Sequence, residues 1–141
     1  MKLVLDSGVL SRLCHPSAEQ SKPAFARIKE LHAAHGSVVV YVPEIVDFEV
    51  RRKLLHMKSA GAVVRLDNLH AVFTYIKINT PIMRAAAELW AKARLRGQAT
   101  AGETSLDADV VLAAQALSVG GTVATTNSKH LAQFVAVQDW S

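Results

Sequence analysis

Six residues near the amino terminus, Lys2-Leu3-Val4-Leu5-Asp6-Ser7, constrain the fold more than any other stretch of the chain. Leu3, Val4 and Leu5 form an apolar run with no helical period, which predicts a strand buried on both faces. Asp6 then stands at the carboxyl end of that strand, the edge of an open α/β sheet where ligands bind. An Asp at this position also suits a cap on the helix that follows, and the run alone admits both roles.

The rest of the chain alternates in the same manner. Ser7 to Leu13 predicts a loop or short helix, and His15-Pro16-Ser17 a break. A helix start is expected at Ser21 with Pro23 close behind, because proline suits a first helical turn, and Phe25, Ile28 and Leu31 keep helical spacing up to Gly36. Val38 to Val42 reads as a strand. Pro43 opens a helix with Glu44 and Asp47 in its first turns, where the helix dipole favours acids, Glu49 in the second turn, and Ile45, Phe48 and Arg52 along one face.

A shorter helix is expected around Ala62 to Leu69, and a β-branched and aromatic strand over Val72 to Ile78. Thr80 then reads as a cap, with Pro81 first in a helix that turns Ile82, Ala86, Leu89, Trp90 and Ala93 inward before Gly97. Gln98 to Ser105 reads as a loop. Asp107-Ala108-Asp109 opens a further helix through Leu117, which Gly120-Gly121 stops. Thr122 to Thr126 is a buried strand with Asn127 just beyond it, and Phe134 to Val137 a last short one.

Strands alternating with helices call for a three-layer α/β/α fold with a central, mostly parallel sheet. At 141 residues, half of them apolar, the chain predicts one domain over 1–141. Right-handed crossovers start each helix at the carboxyl edge of the preceding strand. Asp6, Glu49, Asp107, Asp109 and Asn127 are therefore expected at one edge, although they come from separate regions. The last helix requires a return of about 25 Å after Gly97, close to the roughly 27 Å that Gln98 to Ser105 span when extended.

Each of these residues also has an ordinary structural use. Glu49 stands four residues before Lys53, as in an exposed helix pair; Asp107 or Asp109 suits a cap, though only one can serve; Asn127 suits a turn. Together, Asp6, Glu49 and Asp109 would be a costly cluster of like charges unless a cation neutralised it. A hard divalent ion does so, and Mg²⁺ prefers a few carboxylates and several waters to a complete protein cage.

Composition restricts the setting. No segment approaches a membrane span, and the amino terminus lacks a basic, apolar and small-residue succession, which predicts a cytoplasmic protein with no membrane partner. The lone Cys14 has no disulfide or zinc partner and suits a small buried apolar residue. Sixteen Lys and Arg against twelve Asp and Glu, a net charge of +4, permit a nucleic-acid or acidic partner.

The ordered set of motifs resembles the PIN-domain ribonucleases, and is most similar to the VapC-type toxins of prokaryotic toxin-antitoxin pairs. The resemblance rests on Leu3-Val4-Leu5-Asp6-Ser7, on Pro43 through Glu49, on Asp109-Val110-Val111-Leu112-Ala113-Ala114, on Thr125-Thr126-Asn127 and on the closing Asp139-Trp140, and covers essentially the whole chain. It implies an endoribonuclease that hydrolyses RNA phosphodiester bonds with Mg²⁺ or Mn²⁺. Asp6, Glu49 and Asp109 would be the catalytic and metal-binding residues, and Asp107 and Asn127 would assist in cofactor binding. A homodimer and a cognate antitoxin that covers the acidic edge are implied too.

Two positions depart from the family pattern. Gly8 stands where the family usually carries Asn, and Asn127 replaces a fourth acid, which weakens any second metal; Asp107 is a possible substitute for that charge. Arg12, Arg51, Arg52, Lys53, Lys129 and His130 are candidates to steer RNA, set against the usual solvated role of surface cations. A PIN-like module that binds RNA or protein without cutting is the alternative. A phosphorelay receiver lacks support because Asp6 has no adjacent acid, and an Asp-nucleophile phosphatase because Gly8 occupies the place of its second Asp.

Overall fold

A computed structural model describes residues 1–97 and 103–141. Five strands, β1 (Lys2–Leu5), β2 (Val39–Pro43), β3 (Thr74–Ile76), β4 (Thr122–Thr125) and β5 (Val137–Asp139), form one sheet in the order β3-β2-β1-β4-β5. Every pairing is parallel. β1 lies at the centre, with Val4 opposite Tyr41 on one side and Val123 on the other. Leu3, Val4 and Leu5 are fully buried, as an apolar run without alternation requires.

Helices α1 (Ser7–Leu13), α2 (Ala18–His35), α3 (Glu44–His56) and α4 (Ala60–Val72) connect β1 to β2 and β2 to β3. With β3 reached, α5 (Thr80–Leu95) and α6 (Glu103–Val119) carry the chain back across the sheet to β4, and α7 (Ser128–Leu131) joins β4 to β5. Right-handed crossovers in these opposite directions put α1 to α4 on one face and α5 to α7 on the other. The expected three-layer arrangement is thus present, with a sheet that is parallel throughout. Among the described residues, no helix is long and apolar enough to cross a membrane.

Several boundaries differ from expectation. The helix expected at Ser21 already begins at Ala18 behind Ser17, with Glu19 in its first turn, so Pro23 lies inside α2 and leaves one backbone carbonyl without its intrahelical partner. On α3 the buried residues are Val46 and Val50; Phe48 is 54% exposed and carries the Arg52 guanidinium over its ring at 5.0 Å. Helix α4 extends to Val72, which shortens β3 to the residues that pair with Tyr41, Val42 and Pro43. Asn79, not Thr80, caps α5, its side chain accepting from the Ile82 amide at 2.9 Å. Phe134 and Val135 fill the core beneath α7, and the final strand starts only at Val137.

The loop expected over Gln98 to Ser105 falls partly on residues 98–102, outside the described residues. Helix α6 has already formed at Glu103, so neither Asp107 nor Asp109 opens it: both stand in its second turn.

Candidate active site at the carboxyl edge of the sheet

The central strand delivers Asp6 to the carboxyl edge, where it caps the helix that follows and also bonds the neighbouring strand end. Its Oδ1 accepts from the Ser7 amide at 2.6 Å and caps α1. Its Oδ2 accepts from the hydroxyl of Thr125, at the end of β4, at 2.5 Å. Thr125 is fully buried, and its oxygen in turn accepts from the Asn127 amide at 2.9 Å. Two adjacent strand ends are joined through one carboxylate, which still has lone pairs to offer.

Glu49 arrives from the second turn of α3. The start of that helix is fastened in two places. Glu44 accepts from the Ile78 amide at 3.0 Å and the Tyr75 hydroxyl at 3.3 Å. Gln115, fully buried, donates to the Ile76 carbonyl at 2.7 Å and accepts from the Ile45 amide at 3.3 Å. These bonds tie α3 to the end of β3 and to α6, so that Glu49 and Asp109 hold their places relative to each other.

Asp6, Glu49 and Asp109 line one cavity of about 350 Å³, together with Gly8, Asn127 and His130. The burial and mutual repulsion of the acids are visible in their proton affinities. Burial first, and then the charge of Asp6, push the Asp109 carboxyl up to about 6, with His130 opposing. Glu49 is raised by burial, then by Asp6 and Asp109, against the pull of Arg52. Among the described residues, no ion pair joins Glu49 to Lys53.

Among the described residues no three His, Cys, Asp or Glu side chains are drawn tightly enough together to enclose an ion by themselves. The cavity instead sets hard carboxylate oxygens around a space roomy enough for several waters, which fits a cation that retains part of its hydration shell. Bringing a divalent charge among them would offset the burial and the repulsion that raise Asp109 and Glu49.

Asp107 does not belong to this site. Two residues apart on an α-helix means about 200° of rotation, and Asp107 is exposed in a groove with Met83, Ala86, Ala87 and Trp90 instead. It cannot supply the charge that Asn127 lacks. Asn127 does line the cavity, with its Nδ2 3.0 Å from Nδ1 of His130.

Of the candidate RNA-steering cations, two are engaged elsewhere. Arg12 donates to the Trp140 carbonyl at 3.0 Å, and Arg51 bridges Asp47 and Asp67 at 3.1 and 2.9 Å, fastening α3 to α4. Arg52 and Lys53 are exposed beside Glu49.

Gln115 carries site structure that sequence reasoning passed over, because it lies among apolar helix residues; Thr125 and Thr126 entered only as parts of a motif, with no contact foreseen for either. The Gly8 departure has a local reason: a Cβ there would stand 2.8 Å from Thr126 Oγ1.

Comparison with known proteins bears on the fold. The chain is similar over its full length to a chain of the VapBC2 complex from Rickettsia felis bound to promoter DNA, with a TM-score of 0.80, 16% identity and 100% of both chains covered. FitAcB from Neisseria gonorrhoeae follows with a TM-score of 0.71, 22% identity and coverage of 97% of this chain and 96% of that one. VapBC-1 from nontypeable Haemophilus influenzae matches at 0.71 and 16% identity, covering 99% and 98%. At these identities the likeness establishes the fold. No curated protein sequence matches the chain. The PIN domain family model spans residues 3–135, from the central strand to the turn before β5, and the chain accordingly belongs to the PIN-domain family.

Proposed function

We propose that this protein is a divalent-metal-dependent endoribonuclease and the toxin of a toxin-antitoxin pair. The observation that carries the reading is the convergence of Asp6, Glu49 and Asp109, from β1, α3 and α6, in one cavity at the carboxyl edge. PIN domains are in general nucleases that use divalent ions, and the similar folds occur in VapBC and FitAB complexes. An antitoxin that covers the acidic edge, and a homodimer, belong to the same reading.

Asp6, Glu49 and Asp109 would hold Mg²⁺ or Mn²⁺. Such an ion would supply the positive charge that polarises the phosphodiester and favours deprotonation of the attacking water. The chain's own contribution is orientation and charge. Thr125 and the Ser7 amide hold the Asp6 carboxylate in one rotamer, so it needs no reorganisation when substrate arrives. Glu49, which lines the same cavity as Asp6 and Asp109, is placed to accept a proton from the attacking water. Arg52 and Lys53 attract the phosphate backbone towards the acids.

The test is cleavage of total RNA by the purified protein with Mg²⁺ or Mn²⁺, beside Asp6→Asn and an EDTA control. Cleavage that needs the metal and disappears in the variant is expected. Metal binding without cleavage of any RNA would favour the second reading, a PIN module that binds without cutting. That reading is motivated by Gly8, in place of the family's Asn, and by Asn127, which brings no charge and directs its amide to His130.

A further inference from the structure

The acid cavity does not end at Glu49. A second hollow of about 280 Å³ shares Ser7, Gly8 and Glu49 with it and continues between α1 and α3 past Arg52 and Lys53. A third, of about 210 Å³, shares Ser11, Val50 and Lys53 with the second and is floored by Cys14, Leu54 and Met57. The three form one groove. Along α3 it runs from Glu49 to Met57, eight residues or about 12 Å at the helical rise, with acids at one end, two cations in the middle and an apolar hollow at the far end.

Resting on the ribonuclease reading, we propose that this groove is the track for single-stranded RNA on one side of the scissile phosphate, and that the hollow at Met57 takes an unstacked nucleobase. The order of the chemistry is the argument. A strand whose scissile phosphate lies among the acids carries its next phosphate to Arg52 and Lys53 and its base beyond them. Neither cation is committed elsewhere by an ion pair among the described residues, whereas neighbouring Arg51 is held by Asp47 and Asp67.

The far hollow has the attributes of a base subsite. At about 210 Å³ it lies below the roughly 300 Å³ at which sites for drug-sized ligands begin, so it admits one ring system and not a whole nucleotide. Its walls are mostly apolar, and Ser11 and Ser59 supply hydroxyls for a base edge. The His15 ring at its rim is pinned by a 3.0 Å bond from the Ser17 amide to Nδ1, and an imidazole face is a common stacking surface for unpaired bases. Met57 is 61% exposed where the chain leaves α3, an apolar side chain with no covering of its own. At Arg52 and Lys53 a phosphodiester meets charges of the opposite sign.

Binding of short single-stranded RNA of random sequence in EDTA separates this inference from catalysis, because nothing is cut. Arg52→Ala and Lys53→Ala should each lower the slope of log affinity against log salt by about 0.7. Met57→Ser should weaken binding about fivefold without changing that slope, and Met57→Leu should restore it. RNA carrying a photoreactive base should crosslink within residues 53–62 or to His15. If the wild type binds and cuts RNA while these variants keep its affinity, slope and crosslinks, the groove is not the RNA track and the hollow falls to a side chain of a protein partner. If the wild type neither binds nor cuts any RNA, the ribonuclease reading fails first and this inference with it.

Discussion

The buried hydroxyl of Thr125 donates a 2.5 Å hydrogen bond to Oδ2 of Asp6, so the end of β4 sets the orientation of a carboxylate on β1. The same oxygen accepts from the Asn127 amide. Thr125→Val keeps the shape but orphans both groups. It should cost about 1–3 kcal/mol of stability, read from urea unfolding, and should weaken metal binding because Asp6 is no longer held. Thr125→Ser should retain both properties.

Asp109 makes the metal-free protein sensitive to pH. Its carboxyl, pushed up to about 6 by burial and then by Asp6, binds its proton more tightly in the folded chain than in the unfolded one. That contribution to stability is complete below about pH 4, the unfolded value, and is lost as pH rises through about 6. Asp109→Asn should flatten the decline between pH 4 and 7 by about 1 kcal/mol, a figure reduced for the carboxyl's partial solvation. Urea midpoints measured without metal across that range check it; equal slopes for wild type and variant would refute it.

Metal should reverse the penalty. An ion bound only by the folded state at a hundred times its Kd adds about 2.7 kcal/mol, so Mn²⁺ or Mg²⁺ should raise the thermal midpoint and EDTA should return it. Asp6→Asn, Glu49→Gln and Asp109→Asn should each abolish the rise. Asp107→Asn should keep it, since Asp107 lies on another side of α6.

Gly8 is held to glycine by a neighbour and not by its backbone. Gly8→Ala places a Cβ 2.8 Å from Thr126 Oγ1, and should destabilise the protein by about 1–3 kcal/mol. Thr126→Ala should recover most of that loss in the double variant. Additive effects in the four-way stability cycle would show that the two positions do not touch.

The legibility of the chain follows the kind of interaction involved. Leu3-Val4-Leu5-Asp6 identified the central strand and the functional edge because a buried strand has an unbroken apolar composition. Pro43 marked the start of α3, and Gly120-Gly121 the end of α6. The beginning of α2 was misplaced because Pro23 resembles a first-turn proline, and the inward face of α3 because Phe48, though apolar, stacks against Arg52 at the surface.

What the sequence by itself determined is the alternation of strands and helices, the parallel sheet and the carboxyl-edge position of Asp6, Glu49 and Asp109. These follow from local composition and from the handedness of crossovers, which need no knowledge of side-chain contacts. Only the tertiary structure decided which acids share a cavity. Asp107 and Asp109 look equivalent along the chain, but the start of α6 at Glu103 and the rotation per residue send them in different directions. The bond from Thr125 to Asp6 spans 119 positions and the one from Gln115 to Ile76 spans 39. Such bonds form only when the sheet order β3-β2-β1-β4-β5 and its crossovers bring distant strand ends and helices together, and no local pattern records them.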